Sequence, residues 1–344
     1  MKILFILPGI MTKPVGGAKV VYEYANRFAS EKNEVTILYL YPKKIKGIPL
    51  VIIKLLNLHK PRWFKLKNVI LLCEKKISEK TVEKYEKVIC TSVETAYELN
   101  AIRAIPVSRK YYFIQDFEAW GNNSEDYVFN SYKFPMKKIV IANWLEKYVE
   151  KAGKTAIVIP NGFDFKYFEL KKPVENRNRF EIAMLWHLDD RKRAIDAIEA
   201  LKIVKNEIPQ LHVTMFGVFD KPQLPVWFDY CCTPPREKHN EIYNNASIFV
   251  AASNREGFGL TVGEAMICGC AVACTDNGGF SMMVKNNETG LTSPVYDVKK
   301  LAENILQLIK NDALRIKLAK NGNEFIQKFT WENAFKDFKK ILEE

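Results

Sequence analysis

Short apolar runs rich in β-branched residues alternate with helical patterns along the whole chain, and the alternation begins twice. In the first half the runs are Lys2–Leu7, VTILYLY (35–41), NVILLC (68–73), KVICTS (87–92), KYYFIQD (110–116), KIVIAN (138–143) and AIVIP (156–160). They restart with EIAMLW (181–186), LHVTMFG (211–217), SIFVAAS (247–253) and AVACTD (271–276). Helical spacing lies between them, as at Val20, Val21, Tyr24, Ala25 and Phe28, and over 195–209 up to Pro209. Continuous strand-like runs separated by helices predict parallel sheets covered on both faces. Two doubly wound, Rossmann-like α/β domains facing a central cleft suit a chain of 344 residues. The boundary is expected near Asn161-Gly162, with a polar connector through ENRNR (175–179). In such sheets ligands bind at the carboxyl ends of the strands.

Charge divides unevenly between the halves. Residues 1–162 hold 27 Lys+Arg and 15 Asp+Glu, a net +12, while residues 163–344 hold 25 of each. The excess is densest at 42–67, which has eight basic residues and no acid. There Lys43, Lys44, Lys46, Arg62 and Lys65 are mixed with bulky apolar residues including Trp63 and Phe64. Such a mixture suits an anionic membrane surface; the plainer alternative is a partly buried segment with a solvated basic face. No apolar stretch reaches the roughly 20 residues that span a bilayer. The opening MKILFILPGIM reads as a buried first strand rather than a leader.

Seven cysteines, an odd number mostly inside apolar runs, read as small buried hydrophobes in a reducing cytosol. Cys268, Cys270 and Cys274 lack zinc-like spacing, and there is no convincing D-x-D, so no metal is expected.

The richest segment for chemistry is SNREGFGLTVGEAMICGCAVACTDNGG (253–279). Glu256 and Glu264 flank a glycine turn, Gly257-Phe258-Gly259, and a helix is expected to begin near Thr261. Amides of 258–261 at a helix start attract phosphate. The glycines permit close backbone approach. Glu264, expected in the first helical turn, could take two sugar hydroxyls; read in isolation it is only a favourable charge near a helix N-terminus. The whole string describes a nucleotide-sugar site.

This segment resembles the E-x7-E region of family 4 glycosyltransferases, which have the two-domain GT-B fold. KPVGGAKVVYEYANRFASEKNEVTIL (13–38), VIPNGFDFKYF (158–168), NNETGLTSPVYDVKKLAENILQLI (286–309) and FTWENAFKDFKKILEE (329–344) are similar to further parts of that family. The resemblance implies an acceptor-side domain over 1–162, a donor domain over 163–328 and a terminal helix, 329–344, that packs back on the first domain. It implies that Glu264 holds the ribose and Glu256 the donor sugar. Backbone groups of Phe258, Gly259 and Leu260 approach sugar and phosphate, beside Gly257. Gly17 lies against the diphosphate. Lys192 matches the family's diphosphate lysine, and Arg191 stands in for an arginine whose own position falls near Trp186 or His187. Arg191-Lys192-Arg193 also reads as a solvated loop.

The turn FIQDFEAW (113–120) carries Gln115 and Asp116 where the family often has a histidine. It looks more like a rhamnosyltransferase-containing subgroup using a dTDP-linked donor such as dTDP-rhamnose. Asp116 or Glu118 orients the acceptor there, unless Asp116 caps a helix.

The function implied is retaining, metal-independent, front-face transfer from a UDP-, GDP- or dTDP-sugar to a glycan or lipid-linked acceptor in surface polysaccharide or glycoconjugate synthesis. The leaving phosphate takes the acceptor proton in that scheme, and no cofactor is needed. The protein is expected in the cytoplasm, peripheral at the membrane face, and not on nucleic acid. Two alternatives are a GT-B epimerase or phosphorylase, and a non-catalytic basic protein on a transferase scaffold that binds membrane or nucleic acid.

Overall fold

The computed structural model describes residues 1–40 and 59–344. Lys43, Lys44, Lys46 and the apolar run 48–58 lie outside the described residues. The chain divides into two compact units, Met1–Pro160 with Phe335–Glu344, and Asn161–Ala334.

In the first unit the elements are β1 (Lys2–Leu7), α1 (Gly16–Ser30), β2 (Glu34–Leu40), β3 (Val69–Glu74), α2 (Glu79–Val82), β4 (Lys87–Cys90) and α3 (Val93–Ala101). They continue with β5 (Lys110–Ile114), α4 (Glu125–Tyr132), β6 (Lys137–Val140), α5 (Asn143–Lys151) and β7 (Ile157–Val158). Among the described residues the sheet order is β3-β2-β1-β4-β5-β6-β7, parallel throughout. Ile3 to Ile6 of β1 are fully buried, as a strand covered on both faces requires. The end of the chain completes this core. The Phe338 ring lies 4.4 Å from Tyr24 and 5.3 Å from Phe113, while Lys339 pairs with Glu31 at 2.6 Å.

The second unit runs β8 (Glu181–Trp186), α6 (Ala194–Glu207), β9 (His212–Gly217), β10 (Phe228–Cys232), α7 (Arg236–Asn245), β11 (Ile248–Ala251), α8 (Leu260–Ile267), β12 (Ala271–Thr275) and β13 (Leu291–Ser293). Then come α9 (Val298–Lys310), α10 (Asp312–Ile326) and α11 (Trp331–Glu343), whose last residues belong to the first unit. The order is β10-β9-β8-β11-β12-β13, again parallel. From β8 the chain winds outward to β10, then returns beside β8 as β11. The β8/β11 pair is therefore the switch point, where a crevice opens at the carboxyl ends of the strands.

Three expectations are corrected here. ENRNR (175–179) is not a connector: it lies inside the second unit. Arg177, 5% exposed, donates to the carbonyls of Lys172 (2.9 Å), Ala246 (2.9 Å), Tyr243 (3.2 Å) and Cys268. The guanidinium fork satisfies carbonyls that would otherwise be buried without donors. Cys231 and Cys232 are not core residues, because they end edge strand β10 and Cys232 is exposed. The other five cysteines are buried free thiols, and burial raises those of Cys90, Cys268, Cys270 and Cys274. Trp63 and Phe64 do not form an exposed aromatic face. Their rings lie 5.5 and 5.3 Å from Tyr22, and Trp63 Nε1 donates to the Met11 carbonyl at 2.9 Å. Arg62 and Lys65 beside them are exposed.

Candidate functional site

Two loops leave the switch point of the second unit. The first follows β8. Asp189 accepts the Arg191 amide at 2.9 Å and opens a single 3-10 turn, Asp190–Lys192, which ends at Arg193 with φ +46°. The second follows β11 and carries Ser253 to Gly259. They are joined by the Asn254 amide, which donates to the Arg191 carbonyl at 2.9 Å.

Across this junction Lys192 Nζ lies 2.7 and 2.6 Å from Glu256 Oε1 and Oε2. Ser253 Oγ donates to Glu256 Oε1 at 2.8 Å. Glu256 is 8% exposed, and a carboxylate that buried is stable only when paired and hydrogen-bonded. Ser253, Glu256, Lys192, Thr261 and Phe280 line a cavity of only about 20 Å³. A larger groove, about 500 Å³ and lined by Asn287, Lys317, Asn321 and Phe325 among others, shares no residue with these loops.

Arg191 is bound within its own loop. Its Nε and Nη2 reach Asp189 at 3.0 and 2.5 Å. Burial opposes ionisation of Asp189, but the Arg191 bonds outweigh it and hold the carboxyl at about 2. Burial, then Lys192, lowers His187, whose Nδ1 accepts the Asp189 amide at 2.9 Å.

Beyond Glu256 the chain turns at Gly257-Phe258-Gly259. Gly259 has φ +94°, and a Cβ there would come 2.5 Å from the Phe280 ring, so conformation and space both require glycine. The Phe258 side chain is 3% exposed, among Phe163 (5.9 Å) and Phe329 (6.0 Å). It anchors the turn inward, so only its backbone is offered to a ligand. Helix α8 begins at Leu260 with Gly259 as N-cap and no side-chain cap. Among the described residues no backbone carbonyl takes the amides of Phe258, Gly259, Leu260 or Thr261. A helix start left this way can accept an anion.

Glu264 is the fifth residue of α8, not a member of its first turn. It is 6% exposed and lies 3.4 Å from the Tyr243 hydroxyl. Burial, then the Glu264 charge, raises Tyr243 well above the phenol range. That hydroxyl therefore stays protonated and can donate to the carboxylate.

The first unit places its residues separately. Gly17 is the second residue of α1. Its carbonyl accepts Gln115 Nε2 at 3.1 Å, and among the described residues Gln115 Oε1 is buried without a partner. Asp116 is not a helix cap: it accepts its neighbour Phe117's amide at 2.8 Å, and the following helix is capped by Ser124. Glu118 is held at another helix start, accepting the Val93 amide of α3 at 2.5 Å.

Sequence reasoning missed Asp189, Ser253 and Asn277. A D-x-R spacing in a turn and the N-G-G turn signal were the available signs of the first and last.

The two sheets and these loops define an α/β architecture of two Rossmann-like units, the GT-B fold. A crystal structure of Anabaena HepE with UDP and glucose has a TM-score of 0.76 at 17% identity and covers 100% of this chain and 99% of that one. Sucrose-phosphate synthase from Thermosynechococcus elongatus gives 0.77 at 18% identity, over 99% and 98%. Residues 166–325, which lie in the second unit, match the family Glycosyl transferases group 1. An uncharacterized glycosyltransferase of Methanocaldococcus jannaschii is 39% identical over 98 residues, 28% of each chain. The phosphatidyl-myo-inositol mannosyltransferase of Mycobacterium tuberculosis is 23% identical over 210 residues, 57% of this chain and 56% of that one. The matches thus span between about a quarter and just over half of these curated relatives.

Proposed function

We propose that the protein is a retaining glycosyltransferase of the family 4 type, with a nucleotide-sugar donor and a glycan or lipid-linked acceptor. The carrying observation is the arrangement in one short segment of paired Lys192 and Glu256, unclaimed amides at the start of α8, and buried Glu264 behind them. Amides and Lys192 suit a diphosphate, the group that gains charge as the glycosidic bond breaks. The two carboxylates suit sugar hydroxyls. Glu256 is salt-bridged and hydrogen-bonded, which suits binding better than proton transfer, so the pair is not read as a hydrolase acid and base.

Relatives support the substrate classes. HepE was solved with UDP and glucose. A Campylobacter jejuni relative, 38% identical over 82 residues covering 24% of this chain and 22% of that one, acts on a diphospho-undecaprenol-linked sugar. In this reading UDP-, GDP- and dTDP-sugars are all candidate donors, dTDP-rhamnose among them. Transfer is front-face, with the leaving phosphate taking the acceptor proton, and needs neither metal nor organic cofactor. The acceptor is met at the cytoplasmic membrane face, drawn by the basic excess of residues 1–162 rather than by exposed Trp63 and Phe64. Gly17 approaches the diphosphate, and Asp116 or Glu118 orients the acceptor.

The test is a panel of UDP-, GDP- and dTDP-sugars scored by melting temperature and by transfer or slow hydrolysis. One donor should raise the melting temperature, and Glu264→Ala should abolish the shift. Failure of every donor rejects the reading.

A further inference from the structure

Glu256 stands on a loop with no regular structure of its own, so something else must fix where its carboxylate points. Two contacts reach the carboxylate itself, Lys192 and the Ser253 hydroxyl. Ser253 is in turn held through its carbonyl, which accepts Asn277 Nδ2 at 2.9 Å and Thr275 Oγ1 at 2.5 Å. Asn277 closes the arrangement from the next loop. Its Oδ1 accepts the amides of Gly279 and Phe280, both at 3.1 Å. Gly279 then packs so closely that a Cβ there would lie 2.5 Å from the Glu256 carbonyl oxygen and 2.7 Å from Glu256 Cβ. Ser253, Glu256 and Asn277 are 4%, 8% and 6% exposed. One buried amide thus binds the Glu256 loop with its nitrogen and the Gly279 loop with its oxygen.

We infer that Asn277 is a positioning residue for Glu256, acting through Ser253 and through the seat of Gly279. It does not touch the carboxylate. The inference rests on the transferase reading for its consequence in rate, but not for its structural content. A ligating group displaced by about 1 Å can lose on the order of 10²-fold in rate, and groups that orient such residues share in that sensitivity.

The test compares Asn277→Ala and Asn277→Asp, each alone and combined with Glu256→Gln, in the full-length protein. Asn277→Asp keeps an oxygen for the Gly279 and Phe280 amides but cannot donate to Ser253. The new carboxylate oxygen faces the Ser253 carbonyl, so the melting temperature should fall, and transfer should be lost even in protein that is still folded at the assay temperature. Asn277→Ala should lower kcat about 10- to 100-fold while affinity for the nucleotide of the donor found in the panel stays within about twofold. In the Glu256→Gln background Asn277→Ala should add almost nothing, because residues acting as a unit are non-additive. Additive losses, or full recovery of rate in Asn277→Asp, overturn the inference.

The Glu256 carboxyl carbon resonance, assigned by its absence in Glu256→Gln, gives a readout independent of activity. It should move in both Asn277 variants, and an unmoved resonance overturns the inference even if no donor is turned over. A wild type inert to every donor, with the resonance moving as expected, rejects the transferase reading and leaves the positioning role standing.

Discussion

Lys192 and Glu256, 64 residues apart in sequence, meet as a two-pronged ion pair, with Nζ 2.6 and 2.7 Å from the carboxylate oxygens. The topology explains it: their loops follow neighbouring strands at the switch point, so they meet without any sequence proximity. Their side chains are 26% and 10% exposed. At that depth, removing one partner leaves the other buried and uncompensated, which costs about 3–5 kcal/mol in fully buried pairs and less here. Lys192→Met should therefore lower stability more than Glu256→Gln, because it strands the more buried carboxylate, whereas the lysine left by Glu256→Gln can reach solvent. The double variant should be more stable than the two losses summed. Urea unfolding of all four proteins measures this, and simple additivity contradicts the pairing.

Glu264 gives the second prediction. It sits behind the start of α8, buried against the Tyr243 hydroxyl. Tyr243→Phe removes a donor from a buried carboxylate and should cost about 1–3 kcal/mol while changing nucleotide affinity less than tenfold. Glu264→Gln keeps the shape but loses the charge. It should weaken nucleotide binding more than it weakens the fold. Calorimetric titration with UDP, beside thermal unfolding, separates the two, and the opposite ranking would place Glu264 in the structure alone.

The sheets were legible because each inner strand writes itself locally. EIAMLW and AVACTD are unbroken apolar runs, and they are β8 and β12 within a residue. FDYCC, the edge strand β10, carries Asp229 and two cysteines and has no such run. LTS, β13, is three residues long. Both are held by neighbours that a local window does not contain. The glycine turn and helix start at 257–260 were readable from glycine placement. What Arg177 does was not: its carbonyl partners at Tyr243, Ala246 and Cys268 lie 66 to 91 residues away. A polar string such as ENRNR looks like a connector until the fold brings those carbonyls to it. Asp189 was missed for the same reason in miniature, since acids beside the three cations Arg191-Lys192-Arg193 read equally as a solvated turn.

Trp63 yields the third prediction. With its ring on Tyr22 and its Nε1 on the Met11 carbonyl, it packs inside the first unit. Trp63→Ala should destabilise the protein by about 3 kcal/mol, the low end for a large aromatic that is not fully enclosed. Binding to anionic vesicles, per folded molecule, should hardly change, whereas reversing Arg62 and Lys65 to glutamate should weaken it most at low salt. Vesicle sedimentation at two ionic strengths provides the check. A vesicle defect in Trp63→Ala without loss of stability would return the indole to the surface.

Lys138 supplies the last prediction, through pH. It is the second residue of β6 and only 3% exposed, and its Nζ donates to the carbonyls of Phe134 (2.6 Å) and Met136 (3.0 Å), with no carboxylate among these partners. Burial lowers its pKa to about 8 from an ordinary 10.5. Below pH 8 the ammonium is protonated in both folded and unfolded chains, and the folded state carries the whole desolvation cost. Between about pH 8 and 10.5 the folded chain has released a proton that the unfolded chain keeps. Stability attributable to Lys138 therefore rises with pH across that window. The gain is about 3 kcal/mol for a shift of this size. Lys138→Met removes the titration, so the wild type should gain on the variant as pH rises from 8 to 10, and the difference should be flat from 6 to 7.5. Taking the difference cancels the opposing contributions of the buried tyrosines and cysteines, which are common to both proteins. A difference that stays flat through pH 10 would mean that the two carbonyls stabilise the ammonium enough to offset its burial.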